Sequence, residues 1–488
     1  MSKFSAALDN YFHITEKGSN IKTEIIAGLT TFMTMAYILI VNPNLLGEVA
    51  PASGVYIATA IGAIVGTLIM ALYAKLPFAQ APGMGLNAYF AFTVAGTAIG
   101  GSTFGYAGAL VIILISGLIF LLLTLIGVRE KIVDCVPDSV KLAIPAGIGL
   151  FIAFVGLQNA GIIIPSASTG VTLAPLNILK INFSTLWPYF ATFITFAIIA
   201  IMSKLKIKGS ILWGMLAGTG IFYIVALIAC GIHVAAGNAW ADAATWYGLP
   251  NLKDVWTSYN PVACFKSWGT DSVGVLFYKS GDMFKNFNFS SFMLIVSVIL
   301  AFGMVDMFDT IGTLIGTAQK ADMLDENGKL PEMKKALFAD ATATVVGAVC
   351  GTSTVTTFVE SSAGVAEGGR TGLTSLIVAI CFFVAMFLSP IAFLIPTCAT
   401  AAALVYVGVL MIGGVTKIDF SDVTVAVPAF LTIAMMPLTY NISYGIALGM
   451  ITHCILTPFS KDPAKRKPNI ITIIIAILFV CNFIFVSH

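Results

Sequence analysis

Charge is scarce in this sequence. Asp, Glu, Lys and Arg make up only 10% of its 488 residues, where a soluble domain carries about 25%. Hydrophobic residues make up 58%, and mean hydropathy is +0.97. So little charge cannot clothe a water-soluble surface of this size, and the chain reads as a polytopic helical membrane protein. The net charge of +2 gives no reason to expect nucleic acid as a partner. Histidine is nearly missing: His13, His233, His453 and His488 are scattered and form no metal-ligand pattern. The 8 cysteines contain no CxxC. Cys350, Cys381, Cys398, Cys454 and Cys481 lie in apolar segments and read as small packing residues; Cys230 and Cys264 flank a polar loop, where pairing stays open. There is no GxxxxGK[ST], no arginine-rich voltage-sensor spacing, no GxGD-type aspartate pair and no nucleophile–base pair, which argues against an ATPase, a voltage sensor and an intramembrane hydrolase. GMG at 83–85 lacks the third glycine of a dinucleotide loop. No cofactor, metal or covalent chemistry is expected. Residues 1–20 lack the charged-then-apolar pattern of a cleaved signal peptide and read as a lead-in.

What the chain has in abundance is long apolar runs. Segments of spanning length occur at about 24–42, 54–74, 107–128, 141–163, 187–204, 209–232, 291–316, 335–351, 371–396, 398–414, 423–437 and 441–459. Shorter, interrupted ones lie at 84–98 and 352–367, which predicts fourteen spans. A further apolar stretch at 469–486, after a basic linker, either crosses once more or lies on the membrane. With the N-terminus in the cytoplasm, only Lys180, Lys253, Lys266, Lys279 and Lys285 of the 25 basic residues fall outside, a strong positive-inside bias. The outside loop 233–290 divides the spans seven and seven. Seven is odd, so the halves are inverted relative to each other, as in many secondary transporters. Their third members match in character. APGMGLNAYFAF (81–92) carries Pro82, Gly83 and Gly85; GTSTVTTFVESSAG (351–364) is rich in Thr and Ser. Broken backbone is tolerated at membrane depth only where protein or a water-filled cavity surrounds it, and such a pair marks a central binding site. We read 81–86 and 353–359 as short extended pieces, each leading into a half-helix whose free N–H groups face a ligand.

Acids stand out in this setting. A carboxylate at mid-membrane costs about 2.5–3.5 kcal/mol on the insertion scale, so it suggests function. Asp306 and Asp309 lie three apart in ILAFGMVDMFDTIGTLIG, and Glu360 sits in the second broken segment. Asn87 reads as an N-cap whose amide can also meet a ligand. Phe308, Phe358, Tyr89 and Phe90 are candidates to cover a ligand ring, or ordinary packing. Glu367 and Arg370, three apart, read as a bracing ion pair.

Four blocks carry a resemblance: IIAGLTTFMTMAYILIVNP (25–43), APGMGLNAYFAF (81–92), VDMFDTIGTLIG (305–316) and TFVESSAGVAEGGRTGL (357–373). They resemble the AzgA-like purine permeases, the adenine/guanine/hypoxanthine branch of the nucleobase–cation symporters. The resemblance implies two inverted seven-span repeats, with a core domain formed by 21–128 and 291–396 and a gate domain formed by 129–232 and 397–460; residues 461–488 form a basic linker and an apolar segment. It implies import of purine bases with protons; a bacterial inner membrane is the default setting, and whether the chain forms a homodimer stays open. In the family picture Asp309 and Glu360 contact the base and Asn87 opens the third span. Gly85, Leu86, Phe308, Val359 and Ser361 complete the expected substrate set. Where related branches have a histidine one turn after the span-eight acid, this chain has Thr313, so Asp309, Glu360, Asp306 and Thr313 are the proton-coupling candidates. Another nucleobase, urate or a small anion as substrate, Na⁺ as coupling ion, and a channel or intramembrane enzyme remain open alternatives. The 233–290 loop is long for the family, and fourteen spans leave the 469–486 tail unexplained.

Overall fold

The structure is a computed structural model that describes residues 3–96, 104–127, 136–166, 168, 170–175, 183–236, 239–240, 242, 244, 247–281, 289–321, 323–325, 330–460, 466 and 468–485. Lys180 and Lys285 lie outside the described residues. Helices occupy each of the long apolar segments, and among the described residues ten are long and apolar enough to cross a membrane. The protein is a polytopic helical membrane protein. Met84–Ala95, Val423–Leu438 and Ile470–Ile484 are shorter apolar helices. Val423–Leu438 carries Pro428 and Pro437 inside it.

The first apolar segment is two helices. Ile21–Met35 starts at Asn20, whose side chain accepts from Thr23 N, and Ile38–Leu46 follows after a break at Ala36 and Tyr37. The backbone there closes tighter turns, Leu39 N to Ala36 O and Ile40 N to Tyr37 O. Glu24 is fully buried. Its carboxylate accepts from Arg370 N, Thr371 N and Thr374 N and from both threonine hydroxyls, which fastens the first helix to the start of Gly372–Ala385.

Two short strands meet at the centre. β1 (Gln80–Pro82) and β4 (Val355–Thr357) pair antiparallel, Gln80 opposite Thr357 and Pro82 opposite Val355. The extended pieces are therefore shorter than the predicted 81–86 and 353–359. Pro82 has no N–H to continue a ladder, Gly83 takes the N-cap position, and helix begins at Met84. In the second segment Glu360 is already in helical conformation at the N-cap of Ser361–Ala366. Every residue of both strands is buried, so their polar groups need partners. Thr67 Oγ1 donates to Gln80 O and accepts from Gln80 N, and Thr344 Oγ1 serves Val355 in the same way. Gln80 Nε2 donates to Thr357 Oγ1. A second hairpin, β2 (Ile163–Ser166) with β3 (Gly170–Leu173), lies far from this centre in sequence.

The 233–290 loop contains helices Leu252–Tyr259, Pro261–Ser267 and Val275–Tyr278. It folds onto the bundle: Trp268 Nε1 donates to Cys350 O, and Tyr259 stacks on Phe393 at 3.9 Å. Cys230 and Cys264 are separate free thiols; the Cys264 thiol donates to Tyr259 O. The expected Glu367–Arg370 pair does not form. Glu367 meets Lys208 Nζ at 2.6 Å, and Arg370 Nη1 donates to the carbonyls of Val365 and Gly369, because the turn ending Ser361–Ala366 presents those oxygens at closer range. The tail forms helix Ile470–Phe485. It packs on Ile442–Leu456 and on Phe289–Lys320, burying Ile475 and Phe479.

Candidate functional site

A cavity of about 240 Å³ lies where the broken elements converge. Tyr37 enters from the break in the first segment, and Gly83, Met84 and Gly85 from the turn after β1. Phe308, Asp309, Gly312 and Thr313 come from Phe289–Lys320, and Thr356 to Glu360 from β4 and the turn after it. Opposite them stand Pro145 of helix Asp138–Asn159 and Val407, Leu410 and Met411 of helix Thr397–Met411.

The polar groups gather on one wall. Tyr37 Oη donates to Glu360 Oε1 at 2.8 Å. Thr356 Oγ1 stands 3.5 Å from Asp309 Oδ2, longer than an ordinary hydrogen bond. Asp309 and Glu360 are each partly accessible, and among the described residues no basic side chain lines the cavity. Phe308 and Phe358 form apolar walls with 7% and 6% of their surface accessible. The cavity thus offers two acceptor carboxylates, hydroxyls, the start of a short helix at Met84 and flat apolar walls. Among the described residues no cluster of three His, Cys, Asp or Glu could hold a metal ion.

Of the residues expected from sequence, Asp309, Glu360, Gly85, Phe308, Val359 and Thr313 line this cavity, and Asn87, Leu86, Ser361 and Asp306 do not. Asn87 is no N-cap. It lies inside Met84–Ala88, fully buried. Its Nδ2 donates to Pro82 O and its Oδ1 accepts from Ser353 Oγ, so it splices the two broken segments. The helix begins four residues earlier than expected because Gly83 supplies the extended cap conformation. Ser361 Oγ accepts from Ala79 N at 3.0 Å, another splice across the same joint. Leu86 is core. Asp306 is 2% exposed, one turn before Thr310. Tyr89 and Phe90 pack elsewhere, Tyr89 Oη against Ser443 Oγ at 2.6 Å and Phe90 against Tyr106.

Tyr37 and Pro145 carry no sequence signal for a site. The break that aims Tyr37 at Glu360 contains neither glycine nor proline; tertiary contacts hold it. Behind the acidic wall, Thr310 Oγ1 donates to Asp340 Oδ1 at 2.6 Å. Asp340, on helix Met333–Cys350, has no accessible surface. Gly85 marks a close approach: a Cβ there would collide with Ile148 Cγ2 on Asp138–Asn159.

Residues 22–448 match the profile of the permease family. The chain is similar to the guanine/hypoxanthine permease PbuO of Bacillus subtilis, at 40% identity over 96% of this chain and 98% of that one. It is similar to the adenine permease AdeP of Escherichia coli, at 37% over 98% and 96%. Among solved structures it resembles the transmembrane domain of the cyanobacterial bicarbonate transporter BicA, with TM-score 0.59 and 16% identity over 87% of this chain and 97% of that one. It also resembles the murine anion transporter Slc26a9 in its inward-facing state, with TM-score 0.56 and 11% identity over 94% and 73%. At such identities the likeness is one of fold.

Proposed function

This chain belongs to the permease family and is a membrane carrier rather than an enzyme; on that premise we propose that it imports purine nucleobases, hypoxanthine, guanine or adenine, together with protons by alternating access. The observation that carries the reading is the pairing of Asp309 and Glu360 on one wall of a cavity walled by Phe308 and Phe358, with no basic side chain among its described lining residues. A purine is a flat, neutral, apolar disc with N–H donors and ring acceptors on its edge. Two carboxylates accept its N–H groups through charge-assisted bonds, and the phenylalanines cover its faces. Gly83 N already donates to Thr354 O, so the backbone N–H groups that can reach the base's acceptors are those of the first turn of Met84–Ala88, which have no partner within the helix. Tyr37 holds one oxygen of Glu360 and leaves the other for the base. Asn87, Leu86 and Ser361 act at one remove, by fixing the strands and turns that carry the wall.

We read the chain as fourteen spans in two inverted halves, with the acidic wall on the core (21–128 and 291–396) and Pro145, Val407, Leu410 and Met411 on the gate (129–232 and 397–460). These gate residues and Gly312 and Thr313 sit toward the ends that the lysine bias assigns to the cytoplasm, which supports reading the state as open inward. The membrane is then a bacterial cytoplasmic membrane with the N-terminus inside. An anion, the cargo of the bicarbonate transporter BicA and of the anion transporter Slc26a9, would meet two carboxylates here and, among the described residues, no cation.

The test is uptake of radiolabelled hypoxanthine in a permease-deficient strain, with guanine, adenine, xanthine, uracil and bicarbonate as competitors. Saturable uptake blocked by unlabelled purines, abolished by a protonophore and indifferent to Na⁺ is expected. Competition by uracil or bicarbonate in place of purines overturns the substrate assignment. Uptake that follows Na⁺ and ignores the protonophore overturns the proton.

A further inference from the structure

Two helices that leave the cavity meet again beyond it. Met84–Ala95 touches the cavity with Met84 and Gly85, and Asp138–Asn159 touches it with Pro145. Phe92 comes seven residues after Gly85, and Phe151 and Phe154 come six and nine after Pro145. At about 1.5 Å per residue, all three rings stand about 9–14 Å farther along their helices. The lysine bias puts that side outside the cell. Tyr440, in the turn between Val423–Leu438 and Ile442–Leu456, fills the space among them. Its ring centroid lies 5.9 Å from that of Phe92, 5.3 Å from Phe151 and 6.0 Å from Phe154, edge to face in each case. Thr93 Oγ1 donates to Tyr440 O at 2.7 Å, and the Tyr89 and Ser443 hydroxyls meet at 2.6 Å.

We propose that Tyr440 is the plug of an outer gate: its ring closes the path of the purine to the extracytoplasmic side in this state, and opening that path separates its turn from Tyr89, Phe92 and Thr93. This rests on the alternating-access reading and names the residue that closes the far side while the cavity faces inward. Tyr89, Phe92 and Thr93 belong to the proposed core, and Phe151, Phe154, Tyr440 and Ser443 to the proposed gate. The joint therefore crosses the surface along which the two would move, as the cavity does one step farther in.

The backbone of the turn separates a plug from ordinary packing. Tyr440 has φ +55°, the left-handed conformation that follows the end of Val423–Leu438. Asn441 N reaches back to Met436 O at 3.1 Å, the closure in which glycine is the usual left-handed residue. A β-carbon is strained there, and such strain persists only where the surroundings hold it in place, often at switch regions. Glycine would suit this turn better than tyrosine, so the ring is explained by its contacts and not by the backbone. The turn is also braced from the other side. Asn441 is buried and its Oδ1 accepts from Ser443 N at 2.9 Å, and Thr439 Oγ1 donates to Met435 O at 2.6 Å. A braced turn moves as one piece with the helices of the gate, so the weak surface is the one facing Met84–Ala95. There the attachment is polar and few in bonds, which suits a contact made and broken in each cycle.

The experiment uses the full-length protein in intact cells of a permease-deficient strain. The 8 native cysteines are replaced, and Val359→Cys in the cavity is the reporter. A membrane-impermeant maleimide added outside labels it only when the outer path is open. Tyr440→Gly removes the ring and keeps the turn. Losing an aromatic contact or two is worth about tenfold in such an equilibrium, so labelling from outside should rise about tenfold. Tyr440→Phe keeps the ring and should label at the rate of the otherwise unaltered reporter. Neither Tyr440 nor its partners line the cavity, so in the protein without the reporter Tyr440→Gly should still bind hypoxanthine in detergent while accumulating less of it in cells. Labelling of the reporter in the Tyr440→Gly background at the unaltered rate overturns the proposal, as does an equal rise with Tyr440→Phe. If Tyr440→Gly does not insert, Thr93→Val decides, because it removes the bond to Tyr440 O at nearly constant volume: faster labelling supports the gate, and an unchanged rate overturns it. A reporter that transports hypoxanthine yet is never labelled from outside overturns alternating access itself, a different outcome from an alternating carrier indifferent to Tyr440.

Discussion

A carboxylate in an apolar run is the easiest thing to see in this sequence, and Asp309 and Glu360 do line the cavity. Their neighbours were less visible. Tyr37 lies in a quoted block, but nothing about AYILIV announces a helix break, and the break is what turns its ring toward Glu360. Replacing Glu360 by Gln swaps an acceptor-only group for an amide. The lost charged hydrogen bond is worth about 1.5–3 kcal/mol, and purine uptake in membranes with normal amounts of protein should fall about tenfold or more. Tyr37→Phe removes only the donor that orients Glu360. Its KM should rise by roughly fivefold, for about 1 kcal/mol, with the ranking of purines kept; a wild-type KM would release Tyr37 from the site. Asp309 and Asp306 are separated by a comparison on one helix. Asp309→Asn should abolish binding measured with labelled hypoxanthine, because its carboxylate faces the cavity. Asp306→Asn should leave binding and alter only expression, because its side chain is sealed beneath the wall. The opposite ranking would mean that the wall is read from the wrong face.

At the scale of elements, the paired interruptions were legible because Pro82, Gly83 and Gly85 have no business in a membrane helix, and because five Ser and Thr precede Val359. Their length was not legible. Sequence suggests how far a stretch can be extended, but the partner strand decides how far it is, and that partner lies 277 residues away. Asn87 shows the same limit. As a polar residue at the start of an apolar run it looked like a cap, and its neighbours made it a splice between Pro82 and Ser353. Asn87→Ala should leave both of those groups buried without their partner, at roughly 1–3 kcal/mol. The expected result is a lower melting temperature in detergent and reduced Vmax with the purine ranking unchanged. A changed ranking would place the amide on the base after all. Gly85 acts by what it lacks. Gly85→Leu should block transport by driving the third segment off Ile148, and the double variant with Ile148→Gly should recover part of the rate. A failure of the second change to help would remove the contact as the cause.

For the whole molecule, composition alone settled the class, and the charge bias supplied an orientation. The contacts that join distant parts could not be read from it. Lys208 and Glu367 looked like unrelated cytoplasmic charges, and Glu367 looked committed to Arg370, yet the salt bridge at 2.6 Å joins the proposed gate to the proposed core. Both side chains are partly exposed, so the pair contributes about 0–1 kcal/mol at most. Its use is as a ruler. In a background with the native cysteines replaced, Lys208→Cys with Glu367→Cys, bridged by a short bismaleimide, should stop uptake while leaving hypoxanthine binding in detergent intact. Undiminished uptake in the bridged protein would mean that these two bodies do not move past each other.

The β1–β4 ladder has a consequence for the birth of the protein. At about 5–20 residues per second, a ribosome needs roughly 14–55 s to make the 277 residues between Gln80 and Thr357. During that interval the first strand sits in or beside the bilayer with its backbone unmatched, a condition hydrocarbon does not tolerate. The nascent chain therefore has to keep residues 80–83 in the insertion machinery, or in the water of an unfinished cavity, until the second strand arrives. Nascent chains arrested before residue 355 should be prime substrates for membrane quality-control proteases, and those arrested beyond residue 366 should escape them.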